Sequence, residues 1–457
     1  MGHSHGHLSA SGEGKASAVL SPEVATTRRR ARWILSSILV PLGLLTVLAM
    51  VMLWPSNSRQ DLSLSSPYAA APGVSFDTGT IVEAQESGCN PSNASSPTAG
   101  SGEQAAGSSC LWAITRPDHG GSNVKVAINP DVAKSHAVQA GDSIRYLNLS
   151  GVQGAVQGDT QSGGEGASAQ SSAPLYVFVE FVRTVPITIL AVVYAAVVIL
   201  VARWRGLRAL IGLAGAYVVL TAFILPGLVE GKPPLLLALV GSTVIMIGVL
   251  YFAHGFSART STALLGTMFG LVITALLAAW ATDAANLVGV GNHDAATLVN
   301  ISPNISISGI ILCGLIISGL GVLNDVTITQ SSAVWELHEL APHTSARQLF
   351  SAAMRIGRDH IASTVYTIAF AYAGAALPVL MIVMLYDRPL VETLTSAELS
   401  EEVIRTLVGS IGLVLAIPVT TAIAVLVVKA TGLRGSKRRS PGRRSAAAGN
   451  TPSYDLP

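Results

Sequence analysis

Eight stretches of this chain are long and apolar enough to cross a bilayer as helices, and that fact constrains its fold more than any other. A hydrocarbon core of about 30 Å needs about 20 apolar residues in a helix. The stretches are Trp33 to Trp54, Val185 to Ala202, Ala209 to Leu228 and Leu235 to Phe252, followed by Ala263 to Thr282, Ile305 to Leu323, Ile361 to Leu385 and Leu407 to Val428. Only 12% of the 457 residues are charged, about half the usual share for a soluble chain. The net charge of +2 gives no case for nucleic-acid binding by the whole chain.

The first stretch is too long for a signal-peptide core, and no small-residue cleavage pattern follows it directly. It reads as an uncleaved anchor. Orientation follows Lys and Arg in the short loops. Arg28, Arg29, Arg30 and Arg32 precede the first span, and Arg203, Arg205 and Arg208 lie between the second and third. Arg347, Arg355 and Arg358 lie between the sixth and seventh, and Lys429 through Arg444 follow the eighth. The alternate loops hold fewer. The expectation is eight spans in the cytoplasmic membrane with both termini in the cytoplasm.

Residues 55–184 have ordinary soluble composition, so this segment is expected outside. Short alternating runs begin at Gly79, Leu111, Val124, Ser143 and Leu175 and read as strands, with a turn at Ala140-Gly-Asp. They predict a small β-barrel of OB-like type. Cys89 and Cys110 both fall here, in a compartment that permits a disulfide, and a bridge closing that loop would contribute about 3 kcal/mol. Residues 154–173 are a Gly/Ser/Gln-rich linker.

The tails, residues 1–32 and 429–457, read as disordered and cytoplasmic. His3, His5 and His7 alternate in the first, a compositional cue for weak metal binding. The basic second tail suits a lipid surface. No cofactor motif appears: there is no P-loop, no H-E-x-x-H and no Gly-x-Gly-Asp.

Polar residues at membrane depth are functional candidates by default. At the end of the sixth span, Asp325, Thr329 and Ser332 stack on one helical face, with Asn324, Thr327 and Ser331 beside them. At the start of the seventh, Asp359, Ser363 and Tyr366 share one face, and His360, Thr364 and Thr367 the next. Both clusters face the cytoplasmic side, so Asp325 is free to pair with Arg358 or His360. Residues 333–353 between them read as a cytoplasmic amphipathic helix broken at Pro342. Gly266 with Gly270, and Gly314 with Ser318, have the small-xxx-small spacing of close helix packing.

These residues resemble the YibE/F family of bacterial multi-span membrane proteins. The resemblance rests on Gly206-Leu-Arg-Ala-Leu, Leu225-Pro-Gly-Leu, Gly266-Thr-Met-Phe-Gly and, most specifically, Gly321-Val-Leu-Asn-Asp-Val-Thr-Ile. It continues through Glu336-Leu, Gly357-Arg-Asp-His and Ala371-Tyr-Ala-Gly-Ala-Ala-Leu-Pro378, covering about Thr78 to Val383. It implies the same architecture and points to the Asp325 and Asp359 clusters, without assigning a reaction.

The expected protein is therefore a polytopic α-helical membrane protein with an OB-like domain between its first two helices. Its leading function is passage of an unidentified small solute or ion, at a polar site of Asn324, Asp325, Thr329, Ser332, Arg358, Asp359, His360, Ser363 and Thr367. A sensor or assembly scaffold using the external domain is the alternative. An intramembrane hydrolase would need Asp325 and Asp359 close together, and no enzyme is expected. The partners are the lipid bilayer, the solute and, in one arrangement, further copies of the chain.

Overall fold

The computed structural model describes residues 22–56, 74–88, 109–129, 132–133, 138–150, 175–289, 298, 305–385 and 389–432. His3, His5, His7 and residues 433–457 lie outside them, as does Cys89; Cys110 is described only in its backbone, so the expected disulfide also falls outside. The chain divides into two compact units, residues 56–201 and the remainder.

The first unit holds five strands: β1 (Ser75–Gly88), β2 (Ser109–Pro117), β3 (Val124–Ile128), β4 (Ser143–Asn148) and β5 (Tyr176–Phe181). They close into a barrel in the order β1-β2-β3-β5-β4, antiparallel except where β3 meets β5. Each expected strand is present. Alternation explains the closure: Ile81, Ala113, Val126, Ile128, Ile144 and Tyr146 turn inward and form the core, and their neighbours face out. Gly79 is where β1 crosses closest to β2, since a Cβ there would overlap the Arg116 carbonyl and the Thr115 methyl. The expected turn is built on Gly141, at φ 102°, whose N–H donates to the Ile81 carbonyl at 2.8 Å. Tyr146 sits edge-on to Tyr176 at 5.8 Å. Burial pushes its phenol pKa up to about 12, and Asp77 adds to the shift.

The rest is helical: α1 (Pro22–Met52), α2 (Thr184–Val219), a π-turn (Leu220–Ile224), α3 (Leu225–Val229), α4 (Pro234–His254), α5 (Ala258–Ala284), α6 (Ile307–Leu340), α7 (Ala346–Ala375), α8 (Leu377–Leu385), α9 (Leu390–Leu394) and α10 (Ala397–Gly432). Among the described residues six helices are long and apolar enough to cross a membrane, or seven if α7 and α8, bent by 65°, form one span. Eight were expected. The count of six or seven takes Thr184–Val229 as one run, but two helices meet there across a kink at Arg203, at the expected boundary between the second and third stretches. Only Arg203 departs from helical geometry, at φ 52° and ψ −133°. The α7–α8 bend falls at Ala376, two residues before Pro378, whose ring cannot donate to the preceding turn.

The sixth stretch sits in α6, which continues past Leu323 to Leu340 and keeps Asn324 to Ser332 helical, as their spacing implied. One expectation changes. Residues 333–353 are not a separate surface helix: they are the end of α6 and the start of α7, joined at Pro342 and restarted by a capping box between Ser345 and Gln348.

The helical core is Phe223, Ile224, Leu237, Leu264, Leu271, Leu315 and Ile316, drawn from the π-turn and α4 to α6. Gly266 explains how α5 and α10 approach, because a Cβ there would overlap the Thr420 hydroxyl. Gly314, by contrast, meets nothing within 4 Å among the described residues.

Candidate functional site

The two polar clusters meet where α6 lies against α7. Asp325 lies 18 residues past Ile307, about 27 Å along the helix axis. His360 Nε2 lies 3.8 Å from Asp325 Oδ2. The carboxylate is 70% exposed and the imidazole 29%. Of the two partners open to Asp325, the structure places His360 beside it; Arg358 is exposed and makes no ion pair among the described residues.

The remaining expected residues divide by face. Asp325 and Thr329 are exposed on α6, and Asp359, Ser363 and Thr367 on α7, along with Tyr366. Asn324 and Ser332 are half-buried. Hydroxyls here donate to carbonyls one turn back on their own helix: Ser332 to Ile328 at 2.7 Å and Thr367 to Ser363 at 3.0 Å. Thr364 does the same to His360 at 2.8 Å. A hydroxyl bonded this way presents lone pairs outward. With the carboxylates, the face is therefore rich in acceptors, the donor set a hard cation or a proton selects. No group of three His, Cys, Asp or Glu residues is placed to hold a metal ion among the described residues.

The second stripe of α6 has a different role. Thr327 and Ser331 are fully buried. Thr327 shares a 2.6 Å hydrogen bond with Thr267 on α5, and Ser331 donates to the Arg259 carbonyl at 2.9 Å. The residue the sequence reading missed is Gln330, which is 3% exposed. Its amide donates to the Ala353 carbonyl of α7 at 3.0 Å and to Thr421 Oγ1 of α10 at 2.7 Å. Gly357 leaves the room, since a Cβ there would sit 3.1 Å from Gln330 Oε1. The signal was present: Leu320, Leu323, Thr327, Gln330 and Val334 follow the 3.6-residue period of one buried face.

At the other end of these helices lie two cavities. One of about 490 Å³ is lined by Ala285, Leu287, Thr395, Ser400, Glu401 and Ile404. A smaller apolar one, about 230 Å³, lies between α7, α8 and α10, with Tyr372, Ala376, Leu399 and Glu402 in its wall. Arg405 pairs with Glu402 and stands 5.9 Å from the centre of the Tyr372 ring. In the barrel unit, Asp142, Phe178, Glu180 and Arg183 line a groove of about 620 Å³.

No curated protein and no solved structure matches this chain. One family model does: the match runs from residue 190 to 430, so it leaves out the barrel that the resemblance had included and extends past Val383 into α10. It takes in both polar clusters and the Gln330 node, and spanning more than half of the chain it shows that this protein belongs to the YibE/F-like family.

Proposed function

We propose that the protein provides gated passage for a small cation or proton across the cytoplasmic membrane, along the acceptor-rich face of α6 and α7. The observation that carries this reading is the Asp325–His360 pair, set among outward-facing hydroxyls about 27 Å from the start of an apolar helix. Charged side chains on membrane-spanning helices are rare and mark ion or proton paths. The protein is read as a transporter or channel, with no catalytic role and no resident cofactor.

The topology follows from lengths and charges. The run Thr184–Val229 is 46 residues, enough for two crossings at about 20 residues each, and it is kinked at Arg203. Division at Arg203 yields two spans with Arg203, Arg205 and Arg208 between them on the cytoplasmic side. With the α7–α8 pair as one span, this gives eight. Both termini are then cytoplasmic and the barrel extracytoplasmic.

The test is flux. The purified protein in liposomes is expected to pass protons or alkali cations above the protein-free background, and Asp325→Asn to remove that flux. Background-level flux for the wild-type protein with every ion tried, or undiminished flux for Asp325→Asn, would sink the reading.

A further inference from the structure

The last strand of the barrel runs almost directly into an apolar helix. β5 ends at Phe181 and α2 begins at Thr184, inside one compact unit. The first turns of α2 present Val185, Ile187, Ile189 and Leu190, each more than half exposed, a surface suited to acyl chains. Arg183, one residue ahead of that helix, stands where arginine side chains reach for headgroups. The groove of about 620 Å³ opens at this same level, with Pro186 of α2 in its wall beside Asp142, Phe178 and Arg183.

Backbone pairing sets the two opposite charges of the groove. Ile144 pairs with Phe181, and the Val182 N–H donates to the Ser143 carbonyl at 2.7 Å. The next step of that register brings Asp142 opposite Arg183. Residues opposite each other on antiparallel strands share a face, about 5 Å apart. These two nonetheless do not neutralise each other. Asp142 Oδ2 accepts the Gln139 N–H at 2.9 Å, and Arg183 makes no ion pair among the described residues. Glu180, the other carboxylate of the wall, is held by Arg145 at 2.6 Å. Phe178 and Phe181, with ring centres 5.0 Å apart, supply an apolar edge.

A carboxylate and a guanidinium in one groove, each without the other as partner, are complementary to a zwitterion. The guanidinium matches a phosphate through two parallel N–H donors. The carboxylate accepts from a primary ammonium, whereas a quaternary ammonium has no N–H to give. At the level where a membrane helix begins, the molecule that carries both groups is a phospholipid with a phosphoethanolamine headgroup.

We propose that the Asp142–Arg183 groove binds the phosphoethanolamine headgroup of one phospholipid in the leaflet facing the barrel, Arg183 holding the phosphate and Asp142 the ammonium. The inference rests on the placement of α2 in a bilayer and not on the passage of any ion.

The test is a titration of the full-length protein in detergent with dihexanoyl phospholipids, counting bound lipid by native mass spectrometry. The expected result is one saturable site for dihexanoyl-phosphatidylethanolamine, with the phosphocholine and phosphoglycerol lipids weaker by roughly tenfold or more. Arg183→Gln and Asp142→Asn should each weaken the phosphoethanolamine lipid by a similar factor, and Arg183→Lys by less. Retention of the Tyr146 phenolate step near pH 12 shows that each variant still folds its barrel. Equal binding of the phosphoglycerol lipid would mean that only the anion is read, and would overturn the proposal. So would undiminished binding in both Arg183→Gln and Asp142→Asn, or no saturable site in the wild type. Binding of glycerophosphoethanolamine as tight as that of the lipid would make the ligand a soluble zwitterion and would also overturn it. Liposome flux has no bearing on these outcomes, so this inference and the transport reading stand or fall separately.

Discussion

Gln330 and Thr421 are joined by a 2.7 Å hydrogen bond across the interface of α6 and α10, and the same amide reaches Ala353 on α7 at 3.0 Å. One buried side chain therefore ties α6 and α7, which carry the polar site, to α10. Interhelical hydrogen bonds in membranes contribute about 0.6–1.7 kcal/mol each. Gln330→Met, which keeps the volume and removes both donors, is expected to destabilise by about 1–3 kcal/mol. The shift in the midpoint of detergent unfolding measures it. An unchanged midpoint would mean the amide is not bonded this way.

Gly412 and Thr274 define how closely α10 lies on α5. A Cβ at Gly412 would overlap the Thr274 hydroxyl, while the Thr274 Cβ itself would be 3.3 Å away. Gly412→Ala is therefore expected to cost about 1–3 kcal/mol through overpacking. Thr274→Ala alone should be mild, since that hydroxyl bonds only to the Gly270 carbonyl of its own helix. Combined, the two changes should recover most of the loss in the same unfolding assay. Simple addition of the two penalties would refute the contact.

Lys232 was the single basic residue of its loop in the sequence, and the structure gives it a position. Its ammonium donates to the Trp54 carbonyl at 2.6 Å and the Leu53 carbonyl at 3.2 Å, and pairs with Glu230 at 3.0 Å. A cation at the end of α1 satisfies carbonyls that the helix leaves open. Lys232→Met is expected to lower stability by about 1–2 kcal/mol, and Lys232→Arg by less. Equal losses in both would point away from charge.

Tyr146 supplies a pH dependence. Its phenol ionises at about 12 in the folded barrel, against about 10 in an unfolded chain. Because the folded value is raised, the neutral form is favoured on folding. The contribution to stability is complete below pH 10 and is lost as pH rises towards 12. A phenolate difference spectrum between the full-length protein and Tyr146→Phe should contain one step near pH 12. A step at pH 10 would show that the ring is not buried.

Legibility followed the range of the interactions involved. The strand Val124–Ile128 was readable to the residue because its alternation is local. The pairing of Asp325 with His360 rather than Arg358 was left open by spacing, since it depends on how α6 and α7 are rotated against each other. The length of α6 past Leu323 was less legible. Thr327, Gln330 and Ser331 resemble a helix leaving the membrane, but each is satisfied by a neighbouring helix or its own backbone, so the helix runs on. The boundary at Arg203 was legible because the Arg cluster marks topology, and the backbone leaves helical geometry at that residue. Gln330 stayed hidden because its importance comes from two partners, one 23 and one 91 residues away.

The ion path through Asp325 and His360 is the central claim, and a double-mutant cycle on flux tests it most directly. Proton and alkali-cation flux would be measured in liposomes for the wild type, Asp325→Asn, His360→Gln and the two combined. If the pair acts as a unit, each single change should lower flux roughly tenfold or more, and the double change should lower it little further. Wild-type flux in Asp325→Asn, or losses that simply multiply in the double variant, would contradict a path through this pair.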